Sequence, residues 1–215
     1  KDIAAWFPLR IIMLVLGVPP EDEPLMLELS RKVFGNTDPD AGGGDGMASM
    51  MEAFAAFNAY FAKITEDRRT NPRNDVATIL ANARIGGKPI GEAERNAYYL
   101  IVAAAGHDTT SSAISGGLLA LLQNPGEMAK LRADPALMPR AVDEMIRWTS
   151  PVKHFFRTAV EDCEVGGKQV RAGDSLMMAH WSANRDAGAS EDPFALRGDR
   201  APNRHLAFGV GAHIC

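Results

Sequence analysis

The large apolar residues in the first half of the chain recur at the spacing of an α-helix. Between Met47 and Arg69 they stand three or four positions apart, at Phe54, Phe57, Phe61 and Ile64. This spacing predicts one helix whose aromatic face packs in the core. A shorter helix is predicted in PPEDEPLMLELSRKVFG (19–35), where prolines and acids open the segment and a glycine closes it. Between the two helices, NTDPDAGGGDG (36–46) predicts a loop.

Two more helices are predicted further along the chain. Residues 92–123 are mostly apolar or small, and a helix of that length spans about 45 Å. Residues 135–148 place Val142, Met145 and Ile146 on one helix face. Beyond Pro151 the pattern changes to short, partly alternating runs separated by glycine, in HFFRTAV, CEVGGKQV and DSLMMAHWS, which indicates a small sheet. These patterns predict a mainly α fold with a small β region.

Composition narrows the class of protein. The chain has 215 residues, of which 46% are hydrophobic and 23% are charged, as in ordinary globular proteins. The formal net charge of -4 argues against nucleic acid as a partner, because nucleic acid requires clustered lysine and arginine. Residues 3–18 contain Pro8, Arg10 and Gly17, whereas a membrane span needs about 20 continuous apolar residues. Only Cys163 and Cys215 are present, which favours a reducing, cytoplasmic location over a disulfide framework.

The two ends of the sequence suggest a part of a larger domain. The opening stretch WFPLRIIMLVLGVPP has the composition of a domain core, and the sequence finishes on its most distinctive motif. We therefore expect an internal fragment of a domain that is truncated at both ends.

A single acid interrupts an otherwise uncharged stretch in the long predicted helix. Asp108 is the one formal charge between Arg95 and Glu127, within AAAGHDTTSS (103–112). Aspartate, serine and threonine compete for backbone hydrogen bonds and form helices poorly. Local conflicts of this kind concentrate at functional sites, so the stretch is a candidate site.

The residues around this acid indicate what the site can do. Ala105 and Gly106 leave room for a bulky group against the helix, and Thr109 can bond a carbonyl one turn back and open the helix to water. An acid and an alcohol beside such an opening form a proton relay. The alternative is that Asp108 is simply solvated on a surface helix. For His107 a packed or solvated histidine is the expected interpretation.

A second charged group lies at Glu144 and Arg147, three positions apart on one helix face. Surface helices carry such pairs widely, and most of them contribute little to stability. This pair precedes a turn at Ser150–Pro151 and the strand-like run HFFRTA, in which Arg157 stands among aromatic and small residues. A buried arginine needs an anionic partner, whereas an edge strand would expose it, and the sequence leaves both open.

The final motif, HLAFGVGAHIC (205–215), combines two glycines with a terminal cysteine. A turn explains the glycines and a buried thiol explains the cysteine, but neither explains the combination. A nucleotide-binding turn is disfavoured because no strand, glycine-rich turn and helix surround Gly-Val-Gly. The histidines and cysteines lack the spacing of zinc ligands, and no G-x-S-x-G motif indicates a hydrolase.

Four stretches, in this order, resemble the cytochrome P450 family of haem-thiolate monooxygenases: AGHDTT (105–110), EMIR (144–147), RTA (157–159) and FGVGAHIC (208–215). SANRD (182–186) and APNRHLAF (201–208) are similar to its soluble bacterial branch, and the closest resemblance is to the α-terpineol hydroxylase group. The resemblance covers essentially the whole chain and implies a partial cytochrome P450 domain over residues 1–215. Relative to the family, the N-terminal part and the helix after Cys215 are missing.

The resemblance assigns the final motif to a haem group, heme b (iron protoporphyrin IX). Cys215 would be the proximal thiolate ligand of the iron, which donates electron density and favours O–O cleavage. Gly209 and Gly211 would let the loop backbone approach the porphyrin, and Phe208 would screen the sulfur. His213 would hydrogen-bond a haem propionate.

The resemblance also implies roles on the other side of the haem. Arg157 would pair with a propionate, Ala105 would adjoin the haem, and Asp108 and Thr109 would deliver protons on the distal face. The substrate pocket would be lined by Ile101, Ala104, Ala105, Val152, Lys153 and Phe155.

A structural network is implied on the proximal side. Glu144 and Arg147 would join an arginine from the loop 194–204 and brace this side of the domain. Arg200 is the expected arginine, and Arg197 is the alternative.

The activity that the resemblance implies is that of a bacterial monooxygenase. It would insert one atom of O2 into a C–H bond of a small apolar substrate, by similarity a terpene-like alcohol, and reduce the other atom to water. Electrons would come from a ferredoxin or a similar small redox partner, because no flavin or nicotinamide domain is encoded here. The fragment itself need not be active. The alternative is a helical binding module that keeps the fold without oxygen chemistry, and the presence of both Asp108 and Thr109 argues against it.

Overall fold

The computed structural model describes residues 3–34 and 46–215, without the side chains of Phe34 and His213. Its helices are α1 (Trp6–Leu16), α2 (Glu23–Phe34), α3 (Gly46–Thr70), α4 (Val76–Asn82), α5 (Glu92–Gln123), α6 (Pro125–Ala133), α7 (Met138–Thr149) and α8 (His180–Ala183). Short 3-10 turns cover Pro20–Asp22, Pro135–Leu137 and Gly211–His213. The prediction of a mainly helical fold is confirmed.

The spacing of apolar residues located the longest helices well. α5 spans the predicted residues 92–123, and α3 covers the helix predicted from Met47 to Arg69. The helix predicted from Pro135 begins instead at Met138, because a 3-10 turn precedes it in which Asp134 accepts from the Ala136 N–H. Of the loop predicted at 36–46, all but the last residue lies outside the described residues.

The strands pair as two-stranded ribbons. β1 (Arg84–Ile85) and β2 (Lys88–Pro89) form a short hairpin, and β3 (His154–Thr158) runs antiparallel to β6 (Ser175–Ala179). β4 (Cys163–Val165) pairs with β5 (Lys168–Val170). Gly166 and Gly167 adopt φ angles of 58° and 75°, so they turn the chain back immediately after β4. The small sheet predicted after Pro151 is therefore two separate ribbons, because this early turn pairs β4 with β5 alone.

The chain divides into two compact units, Lys1–Ser111 and Ser112–Cys215. α5 contributes its residues up to Ser111 to the first unit and its remaining residues to the second. The buried side chains of the first unit are mainly apolar. Those of the second include several charged and amide groups, of which Glu144 and Arg147 are completely buried.

The aromatic residues of α3 lie in the core of the first unit. Phe57 and Phe61 are buried, and the ring of Phe61 stacks on Tyr99 with 4.4 Å between ring centroids. Phe54 and Ile64 are half-buried and pack against the same cluster. The prediction that this face of α3 packs in the core is confirmed.

Candidate functional site

One face of α5 gathers three of the predicted site residues. Ile101, Ala105 and Asp108 are exposed in the described chain, and their spacing of four and three positions puts them on the same face. Ala104 differs from the expectation for a pocket residue, because its 8% exposure puts it on the buried side of the helix. The exposed face of α5 therefore combines two apolar side chains with one carboxylate.

Another helix of the first unit, α1, packs against the adjoining side of α5. A Cβ atom at Gly106 would lie 2.3 Å from Cδ1 of Ile12, so α1 fills the space that the glycine leaves. The prediction that Gly106 makes room for a ligand is wrong, since its small size serves the contact of two helices. His107 is buried, and its Nε2 lies 3.0 Å from the carbonyl oxygen of Ala5. Burial lowers the pKa of His107, and its hydrogen bond to Ala5 and the charge of Asp108 oppose this only in part.

The hydroxyl of Thr109 bonds the helix backbone. Its Oγ1 donates to the carbonyl oxygen of Ala105 at 2.7 Å, as the sequence suggested. α5 nevertheless continues without interruption from Glu92 to Gln123, so the expected local opening of the helix is absent from it. The bond supplements the backbone ladder instead of replacing a part of it. Thr109 Oγ1 keeps lone pairs with which it can accept a hydrogen bond from water.

In the second unit, Glu144 and Arg147 form a buried pair. Arg147 Nε donates to Glu144 Oε2 at 2.7 Å, and Nη2 donates to Oε1 at 2.9 Å. The same guanidinium also donates to the carbonyl oxygens of Asn184 at 2.6 Å and Pro193 at 2.9 Å. Both side chains are completely buried, so the pair is unlike the common surface pairs with the same spacing. Arg147 thus ties α7 to a chain segment about 40 residues further on.

Both candidate arginines of the following loop reach Glu144, by different groups. Arg200 Nε donates to Glu144 Oε2 at 3.0 Å, and Arg200 is 5% exposed. Arg197 donates only its backbone N–H, to Oε1 at 3.0 Å, while its side chain faces Glu191. The amide of Asn203 adds a longer bond to Oε2 at 3.3 Å. The charged partner of the pair is therefore Arg200, and Arg197 contributes a peptide dipole.

This network determines which face of α7 is buried. The buried residues of the helix are Ala141, Glu144 and Arg147, whereas Val142 is 42% exposed. The predicted apolar face is therefore not the face that packs most deeply, since the paired charges take that place. Burial alone would raise the pKa of Glu144, but the bonds and charges of Arg147, Arg200 and the Arg197 N–H outweigh it and lower the pKa.

The three predicted pocket residues after α7 differ in exposure and in contacts. Val152 is half-buried, and Phe155 is exposed with its ring 5.7 Å from that of His180. Lys153 Nζ donates to the carbonyl oxygen of Thr149 at 2.5 Å, so its ammonium is directed to the end of α7. Val152 and Phe155 therefore offer apolar surface, and Lys153 does not.

Arg157 is exposed on β3. Its Nη1 donates to the carbonyl oxygen of Phe156 at 2.9 Å. No carboxylate of the described residues lies within ion-pair distance of the guanidinium. Of the two alternatives for Arg157, the structure of this chain shows the exposed one. Its charge is therefore available to an anion.

The loop that ends at Cys215 is closed by one backbone bond. The Cys215 N–H donates to the carbonyl oxygen of Phe208 at 2.9 Å. Gly209 and Gly211 have φ angles of 74° and 81°, in the left-handed region where a side chain is strained. A Cβ atom on Gly211 would contact no described residue, so its conformation explains this glycine and packing does not. The side chain of His213, which is predicted to bond a haem propionate, lies outside the described part of the structure.

A haem group fits this loop by the chemistry of its donor. Cys215 is an exposed thiol without a disulfide partner, and cysteine thiolate is one of the ligands that proteins offer to haem iron. Phe208 is exposed next to the thiol, with its ring 5.5 Å from that of His205. Elsewhere in the described chain no three histidine, cysteine or acidic side chains cluster as metal ligands. None of the described helices is long and apolar enough to cross a membrane.

Comparison with known proteins identifies the family of the chain. The profile of the family described as Cytochrome P450 matches residues 44–215. The match covers most of the chain and includes the buried network, the final loop and Cys215. The chain belongs to the cytochrome P450 family.

Individual relatives place it more narrowly. Cytochrome P450-terp of a Pseudomonas species is 45% identical over 222 residues, which cover 100% of this chain and 52% of the relative. A steroid C26-monooxygenase of Mycolicibacterium smegmatis is 35% identical and covers 100% of this chain and 53% of that protein. The crystal structure of CYP108D1 from Novosphingobium aromaticivorans is 45% identical with a TM-score of 0.88, over 99% of this chain and 50% of that one. The chain thus spans about half the length of the relatives it matches.

Two buried residues that sequence reasoning missed join this network to the final loop. Ser150 is completely buried at the end of α7, and Asn184 is 3% exposed. Asn184 Nδ2 donates to Ser150 Oγ at 2.9 Å. The sequence indicates a turn at Ser150 and assigns Asn184 no role beyond the family motif SANRD. No periodicity marks either residue, because each acts through a partner distant in sequence.

Proposed function

We propose that the protein to which this chain belongs is a haem-thiolate monooxygenase with Cys215 as the proximal ligand. The observation that carries the proposal is the exposed thiol of Cys215 at the end of a loop with two left-handed glycines and a closing bond to Phe208. Haem held by a thiolate supplies the activation of O2, with one oxygen atom entering a C–H bond and the other leaving as water after two electrons and two protons.

The residues of the final loop would hold the ligand. The backbone bond between Cys215 and Phe208 fixes the loop, and the glycines keep side chains away from the backbone on the ligand side. Arg157 is exposed and would neutralise a propionate, and His213 would donate to a propionate as well. The Glu144–Arg147–Arg200 network would keep this part of the domain rigid.

On α5 the residues would serve proton transfer. Asp108 is exposed and can exchange protons with solvent. Thr109 is anchored to the Ala105 carbonyl, so its oxygen is held at a fixed point where it can accept a hydrogen bond from a water molecule. Together they would deliver the two protons that reduction of one oxygen atom to water requires.

The substrate would be a small apolar molecule, and a terpenoid is the class that we favour. Ile101 and Ala105 make the exposed face of α5 apolar, and Val152 and Phe155 add apolar surface of their own. The relationship to Cytochrome P450-terp at 45% identity favours a terpenoid, and the more distant steroid C26-monooxygenase makes a steroid the second candidate. The electrons would come one at a time from a ferredoxin-type partner.

The test is an absorption spectrum of the full-length protein, reduced under carbon monoxide. Wild type and the Cys163→Ser control should both show the band of thiolate-ligated haem, because Cys163 is an exposed thiol remote from the loop in sequence. Cys215→Ser should lose that band. Retention of the band in Cys215→Ser would refute the ligand assignment. Spin-state shifts with terpenols and steroids would then separate the two substrate classes, and a normal band without turnover of either would favour the binding module.

The role of Thr109 makes a separate prediction. Thr109→Ala in the full-length protein should raise the hydrogen peroxide released per electron consumed severalfold. Without the Thr109 hydroxyl, proton delivery is misdirected, and more of the reduced oxygen leaves as peroxide without oxidising substrate. Thr110→Ala is the matched control, since Thr110 is the exposed neighbour one position on. Equal peroxide release in wild type and both variants would remove Thr109 from the reaction.

A further inference from the structure

The side chain of Asn184 joins the end of α7 to the backbone at Leu206, just before the final loop. Its Nδ2 donates to Ser150 Oγ at 2.9 Å, at the end of α7. Its Oδ1 accepts from the backbone N–H of Leu206 at 2.6 Å. Because Asn184 is only 3% exposed, water does not replace these bonds freely, and both polar ends of the amide are used.

The partner on α7 stands in an unusual backbone conformation. Ser150 has φ 40° and ψ 69°, in the left-handed region that glycine occupies without strain. Its Oγ donates to the carbonyl oxygen of Arg147 at 2.8 Å and accepts from Asn184. A glycine would suit this helix end better than a serine on conformational grounds alone. The hydroxyl therefore offsets the strain by its place between Arg147 and Asn184.

The partner on the other side leads to the cysteine. The N–H of Leu206 is held by Asn184, and its carbonyl oxygen accepts from the Gly209 N–H at 2.9 Å. Gly209 is the first glycine of the loop that Cys215 closes through its bond to Phe208. Leu206 is thus a residue through which the start of the loop is attached to Asn184.

We propose that Asn184 and Ser150 are positioning residues that fix the loop of Cys215 relative to α7. The proposal rests on the proposed function for the identity of the ligand that Cys215 holds. In this arrangement α7, immobilised by its buried ion pair, determines the place of Leu206, and Leu206 determines where the loop begins. The place at which Cys215 would present its thiolate to a haem is then set by the protein.

This role is distinct from that of the Glu144–Arg147–Arg200 network. Arg147 Nη1 bonds the backbone carbonyl of Asn184 at 2.6 Å, so the network keeps its bond when only the side chain at position 184 is removed. Asn184→Ala therefore leaves the three charged residues and their backbone contacts in place. What it removes is the acceptor of the Leu206 N–H.

The experiment measures hydrogen exchange of the Leu206 amide in the full-length protein as purified. We expect Asn184→Ala to raise this exchange rate about tenfold or more, because an N–H that loses its buried acceptor opens more easily. The matched control is Asn124→Ala, which removes a different amide bond of the second unit, from Asn124 Nδ2 to the Ala120 carbonyl at 2.8 Å. This control should leave Leu206 exchange unchanged.

A second variant, Ser150→Gly, keeps the proposal testable if Asn184→Ala does not fold. It relieves the left-handed strain but removes the hydroxyl that holds the Asn184 amide. We expect Ser150→Gly to raise the exchange rate of the Leu206 amide by a smaller factor, about threefold or more. In the double variant the rate should rise by less than the product of the two single factors, because both changes act on one chain of bonds. If the exchange rate of the Leu206 amide stays unchanged or falls in Ser150→Gly, Ser150 is only a cap of α7, and the proposal is overturned.

The haem-loaded protein gives a spectroscopic readout that a general loss of stability does not produce. Under carbon monoxide, Asn184→Ala should convert a larger fraction of its haem to a form without thiolate ligation, at a temperature where its α-helical signal is intact. If wild type shows the thiolate band and Asn184→Ala shows it undiminished, the positioning role is refuted and the proposed function stands. If wild type lacks the band, the proposed function fails, whatever the Leu206 amide does.

Discussion

The two units of the chain are stabilised by different interactions. In the first unit the most deeply buried side chains are large and apolar, as at Leu9, Met13 and Phe61, each with 0% exposure. In residues 112–215 the buried hydrophobic residues are few and mostly small: Ala120, Leu131, Ala141, Leu196 and Ala207. Apolar packing tolerates changes of shape, whereas hydrogen bonds require particular directions and distances. The unit that carries Cys215 therefore relies more on directional contacts than the first unit, where Arg68 makes the comparable buried bonds, to Asp75 and to the Gly17 carbonyl.

The largest expected effect comes from a conservative change in the second unit. Arg147→Lys should lower the free energy of unfolding by about 3 kcal/mol or more, since one ammonium cannot replace a guanidinium fork that bonds Glu144 and several carbonyls. Urea unfolding of the full-length protein measures this loss. Arg140→Lys on the exposed side of α7 is the matched control and should change stability by less than about 0.5 kcal/mol. Similar values for both variants would show that the buried network is dispensable.

A conservative change in the first unit should cost less. Phe61→Leu keeps an apolar but smaller side chain against Tyr99 and loses the ring stacking, so the expected loss is about 1 to 1.5 kcal/mol. The same urea titration measures it, with exchange of amides in α3 as the local readout. A loss as large as that of Arg147→Lys would contradict the difference between the two units.

The smallest effect is a pH dependence confined to the first unit. Burial holds the pKa of His107 below its ordinary value of 6.5, so the imidazole stays neutral in the folded chain. Its contribution to stability is complete above pH 6.5 and is lost as the pH falls below that value towards the lowered pKa, because the unfolded chain takes up the proton first. His107→Gln should flatten this dependence by less than about 1 kcal/mol. Thermal unfolding of wild type and His107→Gln across this pH range measures the difference, and identical profiles would contradict the prediction.

Local patterns in the sequence were enough for the long helices and for the turn at the glycines of the final motif. The apolar spacing predicted α3 and α5, and the glycines around FGVGAHIC indicated the left-handed turn that the structure contains. The buried face of α7 was not predictable in this way, because Glu144 finds Arg200 only 56 residues later. The same holds for the bond from Asn184 to Leu206, since a periodicity describes one element and not a partner on another. Short helices such as α4 and α6 also contain too few turns for an apolar spacing to establish itself.

The contact between Gly106 and Ile12 has a consequence for protein engineering. A side chain at position 106 would displace Ile12 and disturb the seam between α1 and α5, whereas Ile101 and Ala105 lie on the exposed face of α5. Libraries at Ile101 and Ala105 can therefore enlarge or reshape that face while the seam between the two helices stays intact. A substitution of Gly106 itself would instead require Ile12 to shift out of the space that it fills.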